Sequence, residues 1–326
     1  MDGRYGLTGS HQKLKLADHK INIMTDHKSL KSSRREFLSI FGATVGVSSL
    51  LPHQTFSNPA VHSKGITIQQ VIDLILTTIP GAPFKETVDT IKSGDGHREV
   101  TGIVTTMFAT IDVIEKAASL KANFIIAHEP TFYNHRDETE WLNNDQVFQY
   151  KNDLLKKHGI VVWRFHDYWH SHRPDGVLMG VLTKLGWQDR FNSENPRLIV
   201  VPPTSLEALI AHAKKSLNIR QVRFIGDPTQ ICKRIALSPG AAGGRSQIQL
   251  LQKEKPDVLL VGEVSEWETA EYIRDAQAMK LRMSLVVLGH AESEEPGMEW
   301  LVPWLQPKVQ AVKVTHVPSH YPFKEA

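Results

Sequence analysis

Two stretches far apart in the chain carry the same pattern. Ala122-Asn-Phe-Ile-Ile-Ala-His128-Glu129 and Pro256-Asp-Val-Leu-Leu-Val-Gly262-Glu263 each open on a small turn-forming pair, run through four apolar residues and end on a glutamate. A second pair follows: Val161-Val-Trp-Arg-Phe-His166 aligns at its carboxyl end with Met283-Ser-Leu-Val-Val-Leu-Gly-His290. Short continuous apolar runs of this kind fit strands buried on both faces, as in parallel sheets. Polar residues just past such strands lie where open α/β sheets place their ligands. The chain is therefore expected to be α/β: two similar lobes related by internal duplication, with mixed sheets and helices packed on them.

The remaining periodicity agrees. Helical patterns are expected over Ile68 to Leu76, Asp112 to Leu120, Asp145 to Lys157, Val177 to Leu185, Leu206 to Leu217, Ser246 to Lys253 and Glu268 to Gln277. Apolar runs between them, at Val100 to Thr106, Leu198 to Val201, Gln221 to Phe224 and from Ile235, read as strands. With 326 residues there is chain enough for two cores. The expected division is 1–60 as a signal and linker, 61–190 as the first lobe and 191–326 as the second.

The N-terminal segment has a different character. Ser33-Arg34-Arg35-Glu36-Phe37-Leu38 is a twin-arginine sequence, followed by an apolar run from Phe37 to Leu51 broken by Gly42 and Gly46. That run is shorter than the ~20 residues a membrane span needs. The pattern resembles a twin-arginine export signal, a receptor-read address with no stable membrane anchoring after its removal, and implies a periplasmic or otherwise exported protein. Met24 is an alternative start, and no clear Ala-x-Ala cleavage site precedes Ala60. The single cysteine, Cys232, excludes an intramolecular disulfide and a cysteine-rich zinc site; Lys233 and Arg234 beside it would lower its pKa. The first 60 residues hold 8 of the 38 Lys/Arg and 4 of the 35 Asp/Glu, leaving 30 against 31 from Val61 onward. A nucleic-acid reader would keep a basic surplus in its folded part, so none is expected as a partner.

Histidine carries the chemistry. Of 16 in the chain, six fall between His128 and His172. Three groups stand out: His128-Glu129-Pro130; His166-Asp167-Tyr168-Trp169-His170-Ser171-His172; and Gly289-His290-Ala291-Glu292-Ser293-Glu294. Imidazole with carboxylate suits Zn, Fe, Mn or Ni. Adjacent strand residues point to opposite faces, so His128 and Glu129 would not share one ion in a continuing strand. Pro130 allows the pair to straddle two ions or line one cavity. His290 and Glu294, four apart, share a helix face or a tight loop. The glycine-rich Ser238-Pro-Gly-Ala-Ala-Gly-Gly-Arg245 is either a structural turn or an anion contact, and it lacks the P-loop lysine.

The order strand, His-x-Pro, strand, His-x-x-x-ligand, glycine-rich turn, Gly-Glu, strand, Gly-His-x-x-x-Glu resembles the Nif-three-like dinuclear metal-centre family. Its members are often labelled homologs of a type 2 GTP cyclohydrolase. The resemblance covers roughly Ile66 to Phe323, and Gly289-His290 with Glu294 is its most specific piece. The family usually has His-His-Pro where this chain has His128-Glu129-Pro130, Asp where it has His170, and often His where it has Trp267. One His becomes Glu and one Asp becomes His, so the mixture of imidazole and carboxylate is kept. The resemblance implies two divalent metal ions held by His128, Glu129, His170, His290 and Glu294, with Glu294 as bridge. His166 is a substrate-facing group or an alternative ligand, as is Asp167 if His170 points away. Glu263 would orient a ligand or act as a base, so His166 and Glu263 are the candidates for proton handling.

Two metals lower the pKa of a bound water from 15.7 toward ~7 and clamp both oxygens of a displacement. Metal-dependent hydrolysis of a small substrate, a phosphate ester or a cyclic amidine, is the expectation. The alternative is a non-catalytic metal-binding or scaffold protein, and the resemblance implies a ring-shaped homo-oligomer for either. A fusion of residues 1–65 to a folded reporter should reach the periplasm, and Arg34→Lys with Arg35→Lys should hold it in the cytoplasm. Fractionation showing export of the double variant would refute the address.

Overall fold

The structure is a computed structural model that describes residues 65–324. The twin-arginine segment and the junction at residue 60 lie outside the described residues. Thr67 opens α1 (Ile68–Leu76): its hydroxyl accepts from the Gln70 N–H while the Gln70 side chain accepts from the Thr67 N–H. That capping box satisfies two helix-end donors, and Ile68, Val71, Ile72 and Ile75 bury one face. There follow β1 (Ile91–Ser93), β2 (Ile103–Thr106), α2 (Ile111–Ser119), β3 (Phe124–Ala127), α3 (Gln146–His158), β4 (Val161–Arg164), α4 (Asp167–Ser171) and α5 (Gly176–Lys184). The second half runs β5 (Leu198–Ser205), α6 (Leu206–Leu217), β6 (Arg223–Ile225), β7 (Ile231–Ser238), α7 (Gly244–Glu254), β8 (Val258–Val261), α8 (Glu271–Ala278), β9 (Ser284–Val287), α9 (His290–Leu305) and β10 (Val314–His316).

These strands form two mixed five-stranded sheets, ordered β1-β4-β3-β2-β10 and β5-β7-β8-β9-β6. In each, three parallel strands form the centre, β2-β3-β4 in one and β7-β8-β9 in the other. Antiparallel β1 flanks β4 as antiparallel β6 flanks β9. The duplicated pattern in the sequence thus falls on matching central strands. The outer strands differ: β5 runs antiparallel to β7, whereas β10 runs parallel to β2.

Alternation along the central strands fills both faces. Ile103, Phe124, Ile126, Val161 and Trp163 pack with α1, while Val104, Ile125, Ala127 and Val162 pack with α2 and α3. Burying an aliphatic side chain of this kind contributes roughly 1.5–3 kcal/mol. The second sheet is covered likewise, with Leu209 of α6 on one face and Leu251 of α7 and Ile273 of α8 on the other. Among the described residues no helix is long and apolar enough to cross a membrane.

Two helices belong to both halves. In α5, Val177 packs into the first sheet's core and Leu178, Val181 and Leu182 into the second's. Helix α9 starts just past β9, yet its Met298, Leu301 and Leu305 fill the core of the first sheet. The two helices touch through glycines: a Cβ on Gly180 would run into the Pro296 carbonyl, and one on Gly297 would lie 2.6 Å from Val177 Cα. Gly180→Val should therefore destabilise the fold by about 1–3 kcal/mol through overpacking. A fall in denaturant midpoint at unchanged slope is the expected readout, and an unchanged midpoint would contradict the close approach.

Candidate metal centre

Register decides where the chemistry sits. Thr106, Ala127 and Arg164 lie side by side at the carboxyl ends of β2, β3 and β4, as Ser238, Val261 and Val287 do in the second sheet. The loops leaving these ends bring His128, Glu129, His166 and His170 from the first half against Glu263, His290 and Glu294 from the second. Both Glu129 and Glu263 lie two residues past equivalent strands, as the repeat requires. They are not equivalent in environment. Glu129 is buried within the cluster, whereas the Glu263 side chain is 58% exposed at its rim.

His128 and Glu129 do reach one cavity, because β3 ends at Ala127 and the strand's alternation ends with it. The segment after His166 forms the short helix α4, whose start is fixed by Asp89, a residue that sequence patterns had not marked. Asp89 accepts from the N–H groups of His166 and Tyr168, both at 2.8 Å. Burial, against those donors, pushes the Asp89 carboxyl up to about 6. Asp167 is tied to the Thr87 hydroxyl and the Val88 N–H, which keeps it beside the cluster as an anchor. Asp175 caps α5 through one oxygen and takes His170 Nδ1 on the other. Helix α9 begins at His290, so His290 and Glu294 share its inner face.

Four imidazoles are held by one rule. The Nδ1 of His128 lies 3.0 Å from the Phe165 carbonyl, that of His166 3.0 Å from Asp167, that of His170 3.1 Å from Asp175 and that of His290 2.7 Å from Glu263. Each partner only accepts, so Nδ1 carries the proton and donates it, leaving Nε2 as the inward atom. The Nε2 atoms converge on two carboxylates. Glu294 Oε2 lies 3.1 Å from His290 and 3.5 Å from His128, and its Oε1 lies 3.8 Å from His170. Glu129 Oε1 lies 3.4 Å from His290 and 3.5 Å from His166.

The charges are strongly coupled. Burial alone would lower the His290 imidazole, but Glu129 and Glu294 override it and push it up to about 11. Burial opposes ionisation of Glu294 as well, yet His128 and His290 hold its carboxyl well below the usual carboxylate range. His166 goes the other way, to about 4, through burial and repulsion by His128 and His170. Buried charge on this scale needs a partner.

A metal fits these residues. His128 Nε2 is wholly enclosed and makes no hydrogen bond, its neighbouring carboxylate oxygen, Glu294 Oε2, lying 3.5 Å away, and with Nδ1 anchored it is the nitrogen left to a cation. Two overlapping triads have ligand atoms within 4.8 Å of one another: His128, His166 and His170, and His128, Glu129 and Glu294. His166, expected chiefly as a substrate-facing group, thus stands among the candidate ligands. The glycine-rich turn is a wall: a Cβ on Gly240 (φ +67°) would run into the Glu294 carboxylate, and Gly240 N–H donates to Ser293. Cys232 is buried away from the cluster, and burial raises its thiol, against the lowering expected from Lys233 and Arg234. Trp267 is 82% exposed and offers no ligand atom.

The profile of the Duf34/NIF3 (NGG1p interacting factor 3) family matches residues 67–322. The chain belongs to the Duf34/NIF3 family. Curated relatives include a GTP cyclohydrolase 1 type 2 homolog from Clostridium perfringens, 22% identical over 70% of this chain and 87% of that protein. Another of the same description, from Yersinia pestis, is 27% identical over 66% of this chain and 83% of the relative. A hypothetical protein of Staphylococcus aureus shares the fold at a TM-score of 0.64 and 19% identity, over 80% of this chain and all of that one. A Bacillus cereus protein related to NIF3 does so at 0.64 and 16%, over 81% and 100%.

In this NIF3-family chain, His290→Ala and Glu294→Ala should each lose metal in elemental analysis of folded protein, with circular dichroism unchanged. His172→Ala should retain it: its Nδ1 is bound to the Pro174 carbonyl and its ring packs on Trp169 and Trp304. Full occupancy in both of the first two variants would remove the case for a metal centre here.

Proposed function

We propose that this protein holds two divalent ions in the His/Glu cluster and uses them to hydrolyse a small substrate. The observation that carries the reading is His128: a fully buried imidazole, anchored through Nδ1, whose Nε2 has no partner but faces a carboxylate with both oxygens aimed at imidazoles. His128, His166, His170, His290, Glu129 and Glu294 would hold the ions. Such a pair supplies Lewis acidity and an activated water at neutral pH.

The other residues have separable tasks. Glu294 turns Oε1 toward His170 and Oε2 toward His128 and His290, the arrangement a bridging carboxylate needs. Glu263 spends one oxygen on His290 Nδ1 and is otherwise exposed, so it orients that ring and is placed to accept a proton at the mouth. Beside His290 and Glu263 opens a cleft of about 1430 Å³, which Phe108 and the C-terminal residues Tyr321 and Phe323 also line. It is wide enough for a metabolite-sized substrate. The description shared by the curated relatives favours ring opening of a cyclic amidine over phosphate ester hydrolysis. Export by the twin-arginine route and assembly into a homo-oligomer belong to the same proposal.

Protein purified without added metal should contain about two ions per chain by elemental analysis. It should hydrolyse a cyclic amidine or a phosphoester in a screen and lose that activity with chelator. Stoichiometric metal with no turnover of any compound in the screen would favour a non-catalytic metal-binding or scaffold role instead.

A further inference from the structure

Central strand β4 reads Val161-Val-Trp-Arg164, and the last residue is out of place by composition. Among the described residues Arg164 is the one arginine with no solvent exposure. A guanidinium in that position is tolerated only if its donors are matched and its charge is balanced. Its Nε donates to the His128 carbonyl at 3.2 Å, Nη1 to the His135 carbonyl, and Nη2 to Glu129 Oε2 at 3.1 Å. Asp137 is also near, at 3.8 Å from Nη1, but its carboxylate has a closer cation in Lys92 at 3.4 Å. Glu129 is therefore the carboxylate that Arg164 engages most closely.

That pairing divides the two oxygens of Glu129. Oε2 is taken by the guanidinium, and Oε1 alone faces the imidazoles, between His166 and His290. Glu294 has no such partner, and both of its oxygens face imidazoles. We infer that Arg164 is a positioning residue that turns Glu129 into a single-oxygen donor to the metal centre, fixed on the His166 and His290 side. A carboxylate so held offers one ligand atom in one direction, as an imidazole does, and leaves the two-oxygen role to Glu294. The inference rests on the metal-binding reading above.

Arg164 also secures the loop carrying His128 and His135, so simple loss of metal in a variant would not separate positioning of Glu129 from support of the loop. The test is a coupling measurement on the full chain, stripped with chelator and titrated with Co²⁺ while the visible spectrum is followed. Arg164→Lys keeps the charge and guards against misfolding of Arg164→Met; circular dichroism checks both. Each should bind Co²⁺ roughly 10–100-fold more weakly, the usual effect of removing a group that orients a ligand. In a Glu129→Gln background the same substitutions should cost no more than about twofold, because the group they act through is gone. Equal losses in both backgrounds would overturn the inference and leave Arg164 a loop support. Unchanged affinity in both single variants would overturn it as well. Wild-type protein that binds no Co²⁺ would instead remove the metal reading itself, together with this consequence of it.

Discussion

Fixing one nitrogen of each imidazole is what gives the centre its shape. A free histidine presents two ring nitrogens and can rotate; four of them crowded together would repel as they protonate. Here a carbonyl and three carboxylates each take one Nδ1–H, and the opposite nitrogens are thereby aimed inward. The same anchors stiffen the elements that bear them. Asp175 holds His170 and caps α5 with one side chain, and Asp89 starts α4 with two hydrogen bonds. The fold and the cluster are built from the same contacts, which is why strand-end loops and the first turns of α4 and α9 can hold a dense set of charges.

Much of this was legible in the chain. The boundaries of α1 and α6 coincide with the apolar period, because Thr67 and Ser205 supply caps where that period begins. The matching strand ends of β3 and β8 follow from four apolar residues halted by a polar or glycine residue, a pattern local enough to read directly. Glu129 was marked by that position, and His290 and Glu294 by the Gly-His-x-x-x-Glu motif after the next strand; the structure brings them together with His128 and His170.

What was not legible has physical causes. Helix α9 contains Pro296 and Pro303, each lacking the N–H that continues a helix, so its period cannot be followed through the sequence. Packing of Gly297 against α5 and of Met298 and Leu301 in the core outweighs that local preference. Strands β1 and β10 have three residues each, too few for alternation to show. Asp89 and Arg164 act through atoms distant in sequence, and no local spacing announces such a partner. The inward turn of His166 has a local cause, Asp167 holding Nδ1, which the pattern of letters permits but does not specify.

Helix α9 begins among the ligands and ends in the core of the first sheet, while α5 lies in both cores. A strut of this sort removes the hinge that two-lobed proteins commonly use to open a cleft. Separating the halves would expose Met298, Leu301 and Leu305 and tear Gly180 from Pro296, so the lobes melt together or not at all. A ligand of the cluster would then reach it from the cleft beside His290, past exposed groups such as Glu263 and Tyr321, without the two halves having to part.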